Sequence, residues 1–216
     1  MKDALTGCET ILDIGTGTGR FAQFFEESGF SVVGVDVSTP MMIQARAKGV
    51  RNLVQADAQH LPFRDHSFDA SVMIHVLHLV SDWVKTINEA GRVTRKIFMS
   101  EAGDAIGFSA RQRYLELRKE IGYPLNRLND SEFGLRKLVA PKVVFSAGDY
   151  WTEVDADEDI AAFEARRSSV MWDVPETIHQ TIIQRLHAEY HGRKVRRHNI
   201  ALVVVWDPAQ LCTYTP

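Results

Sequence analysis

The segment Ile11-Leu-Asp-Ile-Gly-Thr-Gly-Thr-Gly-Arg20 constrains the fold of this chain more than any other. Ile11, Leu12 and Ile14 read as a buried strand that runs straight into a loop with glycine at every second position, Gly15, Gly17 and Gly19. A helix follows, with Phe21, Phe24 and Phe25 on one face. Glycine permits a tight turn and a close approach of backbone to ligand. The helix start behind the loop presents N–H groups that have no intrahelical partner. A strand–loop–helix unit of this kind belongs in a parallel sheet whose carboxyl edge holds a nucleotide-like ligand. Spacing narrows the choice. Dinucleotide loops follow G-x-G-x-x-G, whereas here the third glycine comes one place early and Arg20 fills the slot that wants a small residue.

Phe30–Val37 reads as a second apolar strand ending in Asp36. A carboxylate there offers two acceptor oxygens and can take both hydroxyls of a ribose. A surface Asp is the plainer alternative, and the distance from the glycine loop favours the ribose. Ser38-Thr-Pro-Met41 supplies capping residues and a proline suited to a first helical turn, and Gly49 suits the end of that helix. Asn52–Ala58 reads as a third strand. Leu61-Pro-Phe-Arg-Asp-His-Ser-Phe-Asp69 contains a loop marked by Pro62 and the polar run 64–67, and Phe68–Ile74 reads as a fourth strand.

These four stations, in this order, resemble the class I S-adenosylmethionine-dependent methyltransferases: the glycine loop as motif I, the acid after strand two, the acid after strand three and the LPF…FD segment. The resemblance implies an α/β, Rossmann-like, doubly wound sheet of seven strands in the order 3-2-1-4-5-7-6, with the last strand reversed. It implies S-adenosylmethionine as cofactor and a transferase of the EC 2.1.1 type. The cofactor residues it implies are Asp13, Gly15, Thr16, Gly17, Gly19, Arg20, Asp36, Val37, Met41, Asp57, Ala58 and His75, with Asp57 meeting the adenine amino group and the Ala58 backbone near the ring. The C-terminal half is similar to the ubiquinone/menaquinone biosynthesis branch, through the Arg166–Glu176 run and a last strand ending in Val-Trp. Relatives usually carry an upstream helix that closes over the cofactor; only about ten residues precede strand one here, so either that lid is absent or the start shown is not the natural one, and a more open pocket is expected in either case.

Length suits a single methyltransferase domain over 1–216, and Gly103–Pro141 reads as an insertion that covers substrate, helical near Ser109–Ile121. The remaining expectations are a helix over Asp82–Arg92 capped by Ser81, strands at Ile97–Glu101, within Lys142–Val154 (with Gly148 a break or bulge) and at Asn199–Trp206, and helices over Asp157–Val170 and Pro175–Tyr190. A net charge of −3 does not suit a protein whose main partner is a polyanion. Cys8 and Cys212 lie near opposite ends and form no zinc or disulfide pattern, so no metal and a reducing cytoplasm are expected. No apolar run approaches the length of a membrane span, and oligomeric state has no visible signature.

Methyl transfer from a sulfonium is a displacement that needs alignment and exclusion of water. A phenol or enol acceptor also needs a base. His75 follows strand four and is the candidate for a base or a cofactor-edge contact, while His78 reads as structural; a histidine satisfied by backbone is the alternative for either. Arg20 either meets the methionine carboxylate or is simply solvated. Asp13 is expected to order the glycine loop through its N–H groups. The acceptor is expected between the ends of strands four and five and the insertion, with Arg166–Trp172 as far wall; Phe108, Tyr114, Tyr123 and Trp172 suggest a largely apolar small molecule. Arg166 and Arg167 can face that acceptor, and Trp172 can equally be plain core. Two other functions remain open. The basic cluster at 193–198 and the arginines at 111–118 suit RNA methylation, although the Asn/Asp-Pro-Pro-Tyr/Phe motif of such enzymes is replaced by Ile74-His-Val-Leu77. A non-catalytic S-adenosylmethionine binder is the third reading.

Overall fold

The computed structural model describes residues 1–124, 131–166 and 169–212. In chain order the elements are β1 (Thr10–Ile14), α1 (Arg20–Glu27), β2 (Ser31–Asp36), α2 (Thr39–Ala47), β3 (Leu53–Gln55), β4 (Phe68–Met73), α3 (Trp83–Val93), β5 (Thr94–Gly107), α4 (Ala110–Glu120), α5 (Ser131–Leu138), β6 (Val143–Asp155), α6 (Ala156–Glu164), α7 (Glu176–Tyr190), β7 (Lys194–Trp206) and α8 (Pro208–Cys212). The strands form one mixed sheet in the order β3-β2-β1-β4-β5-β7-β6, as the resemblance implied. Pairing is parallel from β3 through β2, β1 and β4 to β5. The carboxyl ends of these strands therefore share one edge.

The chain divides into two compact units, one of 1–102, 130–147 and 202–216, the other of 103–129 and 148–201. In the first unit β1 and β4 are buried on both faces, as central parallel strands must be. Alternation sends Leu12 and Ile14 into one cluster with Val35, Phe98 and Trp206. Ile11 joins Val32, Val72 and Met99 on the other face. One buried acid ties these strands at their start. Asp69 accepts the backbone N–H groups of Glu9 (3.0 Å) and Thr10 (3.2 Å) and the Thr10 hydroxyl (3.1 Å), with Lys96 Nζ at 3.1 Å. Burial alone would raise its pKa, but these donors outweigh it and hold the carboxyl well below the usual range.

The second unit has its own core, made by α4, α6, α7 and the turn at 169–174. Tyr114 is fully buried there and its hydroxyl lies 2.8 Å from His179 Nδ1. Arg118 is also fully buried, donating to the Tyr123 carbonyl at 3.0 Å and pairing with Asp173 at 3.1 Å.

Several expected boundaries shift, each for a local reason. Asp82, not Ser81, caps α3 by accepting the Lys85 N–H at 2.9 Å, while the Ser81 hydroxyl turns to Gln59. Helix α6 stops at Glu164 rather than continuing to Val170. Arg166 adopts a left-handed backbone, φ 51°, and its guanidinium holds the Met171 and Val174 carbonyls at 3.0 Å and Glu176 at 2.9 Å. No break occurs at Gly148, which lies inside β6. Strand β7 begins at Lys194, five residues early, because its basic residues find partners across the ladder and beside it: Lys194 with Glu153, Arg196 over the Trp151 ring, His198 with Asp149, and Arg197 with Asp159.

Candidate functional site

The expected cofactor residues in the first unit converge on the carboxyl edge. β1 delivers the glycine loop, β2 ends in Asp36, β3 is followed by Asp57 and β4 by His75. The loop is held from two sides. The N–H groups of Gly15 and Thr16 donate to the Val35 carbonyl at 2.8 and 2.9 Å, and the Gly17 N–H donates to Asp36 at 2.8 Å. Gly15, Gly17 and Gly19 have φ of 72°, 54° and 77°, the left-handed region that glycine enters without strain. Gly15 is also sterically required, since a Cβ there would stand 2.3 Å from Val76 Cγ2. A Cβ on Gly17 would meet only the Gly15 carbonyl oxygen, 3.9 Å away, so that part of the loop faces open space. Gly19 is the N-cap of α1.

The two acids divide the loop-ordering work differently from the expectation. Asp13, buried beneath the loop, accepts the Thr16 hydroxyl at 2.7 Å rather than the loop N–H groups. Asp36 takes the Gly17 N–H with one oxygen and the Ser38 N–H, 2.8 Å away, with the other. Each carboxylate oxygen has a second lone pair. Asp36 is half-buried, so its free acceptor capacity is reachable. Just beyond it Val37 and Met41 expose 69% and 43% of their surface, an apolar step beside the end of β2. Asp57 is exposed and folds back on the Gln59 N–H at 2.9 Å, with Ala58 half-buried beside it.

Arg20 is exposed at the first position of α1, its guanidinium 5.2 Å from the centroid of the Phe21 ring. His75 is exposed on a left-handed backbone, φ 59°, two positions past the end of β4. Left-handed conformations at non-glycine residues cost of order 1–3 kcal/mol and gather at functional sites. The next helix, α3, begins only at Trp83.

The residues expected to wall an acceptor behave otherwise. Tyr114 belongs to the core of the second unit. Phe108 packs on Tyr190 with ring centroids 4.3 Å apart, and the Tyr123 hydroxyl donates to the Asp173 carbonyl at 3.0 Å. Arg166 clasps its own turn, Trp172 is 62% exposed and is not core, and Arg167 lies outside the described residues. Sequence reasoning missed the Thr16–Asp13 bond and the positive φ of His75. A hydroxyl three residues after a buried acid was a readable sign of the first; nothing local signalled the second.

Burial pushes the Asp13 carboxyl up to about 6, against the opposing bonds from Thr16 and Ala22 and with a smaller push from the Asp36 charge. A group whose folded pKa lies above its unfolded value stabilises fully below the unfolded pKa. That contribution is lost as pH rises through the folded one. Ligand-free Asp13→Asn is therefore expected to gain on the wild type between about pH 4 and 6, by on the order of 3 kcal/mol. Urea unfolding across this range checks it, and parallel curves for the two proteins would show that Asp13 is ionised throughout.

Residues 12–97 match the family described as the Methyltransferase domain. The demethylmenaquinone methyltransferase of Thermus thermophilus is 40% identical over 90 residues, 38% of this chain and 41% of the relative. That of Tropheryma whipplei is 36% identical over 95 residues, 42% of this chain and 39% of the relative. The matches thus span about two fifths of the length of these relatives. Among solved structures, a candidate methyltransferase of Bacillus halodurans C-125 has a TM-score of 0.61 at 21% identity, over 95% of each chain, a likeness of fold.

Proposed function

We propose that this chain is a class I S-adenosylmethionine-dependent methyltransferase that transfers the cofactor's methyl group to a small-molecule acceptor. One observation carries the reading: three left-handed glycines between β1 and α1 lie beside the Asp36 carboxylate at the end of β2. The residues present fit the cofactor. The open face at Gly17 suits its amino-acid part, the spare lone pairs of Asp36 suit ribose hydroxyls, and the exposed Val37 and Met41 suit the face of an adenine. When bound, the cofactor supplies an electrophilic methyl carbon on a good leaving group.

The chain's own residues would bind, orient and deprotonate. Asp13 and Thr16 hold the loop that positions the methionine end, and Asp57 and Ala58 border the base. His75, exposed at the end of β4, is the group in reach of an acceptor proton. Demethylmenaquinone, for which both relatives are named, is the acceptor to try first. Within this reading 1–216 works as one methyltransferase domain, with 103–141 as its acceptor-selecting insertion. Location in the cytoplasm goes with the free thiols Cys8 and Cys212. No helix among the described residues is long and apolar enough to cross a membrane. The RNA alternative loses part of its support because several of the basic residues it relied on are engaged. Arg113 pairs with Glu116, Glu120 and Glu189, Arg118 is buried, and Lys194, Arg197 and His198 each face an acid of the same unit.

Calorimetry is expected to give one-to-one binding of S-adenosylmethionine and S-adenosylhomocysteine, with no comparable binding of NAD or ATP. Heat with NAD and none with either sulfur nucleoside would refute the site. Binding without S-adenosylhomocysteine release on an apolar acceptor panel would instead favour the non-catalytic binder.

A further inference from the structure

We propose that the second unit carries a site for a borderline divalent transition-metal ion, of the zinc class, built by Asp157, His187 and His191. None of these residues takes part in the methyl-transfer reading. His187 lies in the last turn of α7, and His191, four positions on, is the residue that caps its end. Asp157 stands in the first turn of α6 and reaches both.

One donor atom from each of the three residues lies within 4.8 Å of the others. Asp157 Oδ1 is 3.1 Å from His191 Nδ1 and 3.5 Å from His187 Nδ1. In a tetrahedral site with metal–ligand bonds of about 2.0–2.1 Å, ligand atoms stand roughly 3.4 Å apart. Both carboxylate–imidazole distances are close to that spacing.

Outer partners hold the ligands in that orientation. Glu164 Oε1 lies 2.7 Å from His187 Nε2, the carboxylate–histidine arrangement that fixes a ligand's tautomer. Asp157 uses its other oxygen to accept the Gly192 N–H at 2.8 Å. With its proton on Nε2 facing Glu164, His187 turns its Nδ1 lone pair toward Asp157 Oδ1, a pair of acceptors that a bound cation can bridge. Two imidazoles and one carboxylate suit zinc, cobalt or nickel rather than magnesium or calcium, which take oxygen donors.

The test uses the full chain stripped with a chelator and titrated with zinc chloride, followed by calorimetry and thermal melting. One zinc per chain and a raised Tm are expected, with no shift from magnesium at the same concentration. His191 is 78% exposed at its side chain, so His191→Ala should fold, and it is expected to lose about tenfold or more in zinc affinity. Asp157→Asn should do the same, His191→Cys should retain binding, and His60→Ala, in the first unit, should match the wild type. Binding of S-adenosylhomocysteine should be unchanged in all four, which separates this site from the cofactor reading. Absence of saturable zinc binding, or equal affinity in wild type, His191→Ala and Asp157→Asn, would overturn the proposal.

Discussion

Gly15→Ala is expected to destabilise the first unit by on the order of 3 kcal/mol, and to abolish cofactor binding before it abolishes the fold. Two independent costs combine. The new residue must hold φ near 72°, where an L side chain crowds its own backbone. Its Cβ would also be driven to 2.3 Å from Val76 Cγ2, in a cluster where Val76, Leu77 and Ile14 are packed together. Relief by moving the loop would break the two bonds that Gly15 and Thr16 donate to the Val35 carbonyl. Urea unfolding of Gly15→Ala, Val76→Ala and the double variant measures the steric part. The double variant should be more stable than the sum of the singles predicts, because truncating Val76 removes the clash but not the backbone strain. A loss below about 1 kcal/mol with no coupling would mean the loop adapts freely and the close packing at Gly15 is unimportant.

Asp36→Ala is expected to weaken S-adenosylhomocysteine binding by about 1–3 kcal/mol, the usual loss for hydrogen bonds to a charged acceptor. The geometry adds a second effect. Asp36 is also the anchor of the loop, taking the Gly17 and Ser38 N–H groups, so alanine frees two donors and a moderate fall in Tm accompanies the loss of affinity. Asp36→Asn separates the two roles. Its single carbonyl oxygen can keep one of the N–H bonds but cannot serve two N–H groups and two hydroxyls, so its affinity should fall between wild type and alanine. Calorimetry paired with thermal melting decides the matter. Intact affinity with a sharply lowered Tm would leave Asp36 a loop support and remove the ribose from this position.

The sequence by itself determined the half of the chain where local chemistry is enough. Ile11, Leu12 and Ile14 form β1, the spacing of Gly15, Gly17 and Gly19 describes the loop that follows, and an acid ends β2. Strand periodicity and the left-handed preference of glycine act within a few residues, so a linear reading captures them. The shared edge follows, because parallel strands joined by helices must present their carboxyl ends on one side.

Only the tertiary structure decided the rest, where a residue's role depends on a partner distant in the chain. Tyr114 has the composition of a pocket wall, but its hydroxyl meets His179 in the core of the second unit. Arg166 turns inward because the carbonyls of Met171 and Val174 lie where its guanidinium can reach them. The basic run at 194–198 extends β7 because Asp149, Glu153 and Asp159 neutralise it. His187 and His191 have the one-turn spacing of a helical ligand pair, but their meeting with Asp157 depends on how α6 packs on α7. Periodicity encodes which face of an element is apolar; it carries no record of which charged side chain waits on the neighbouring element.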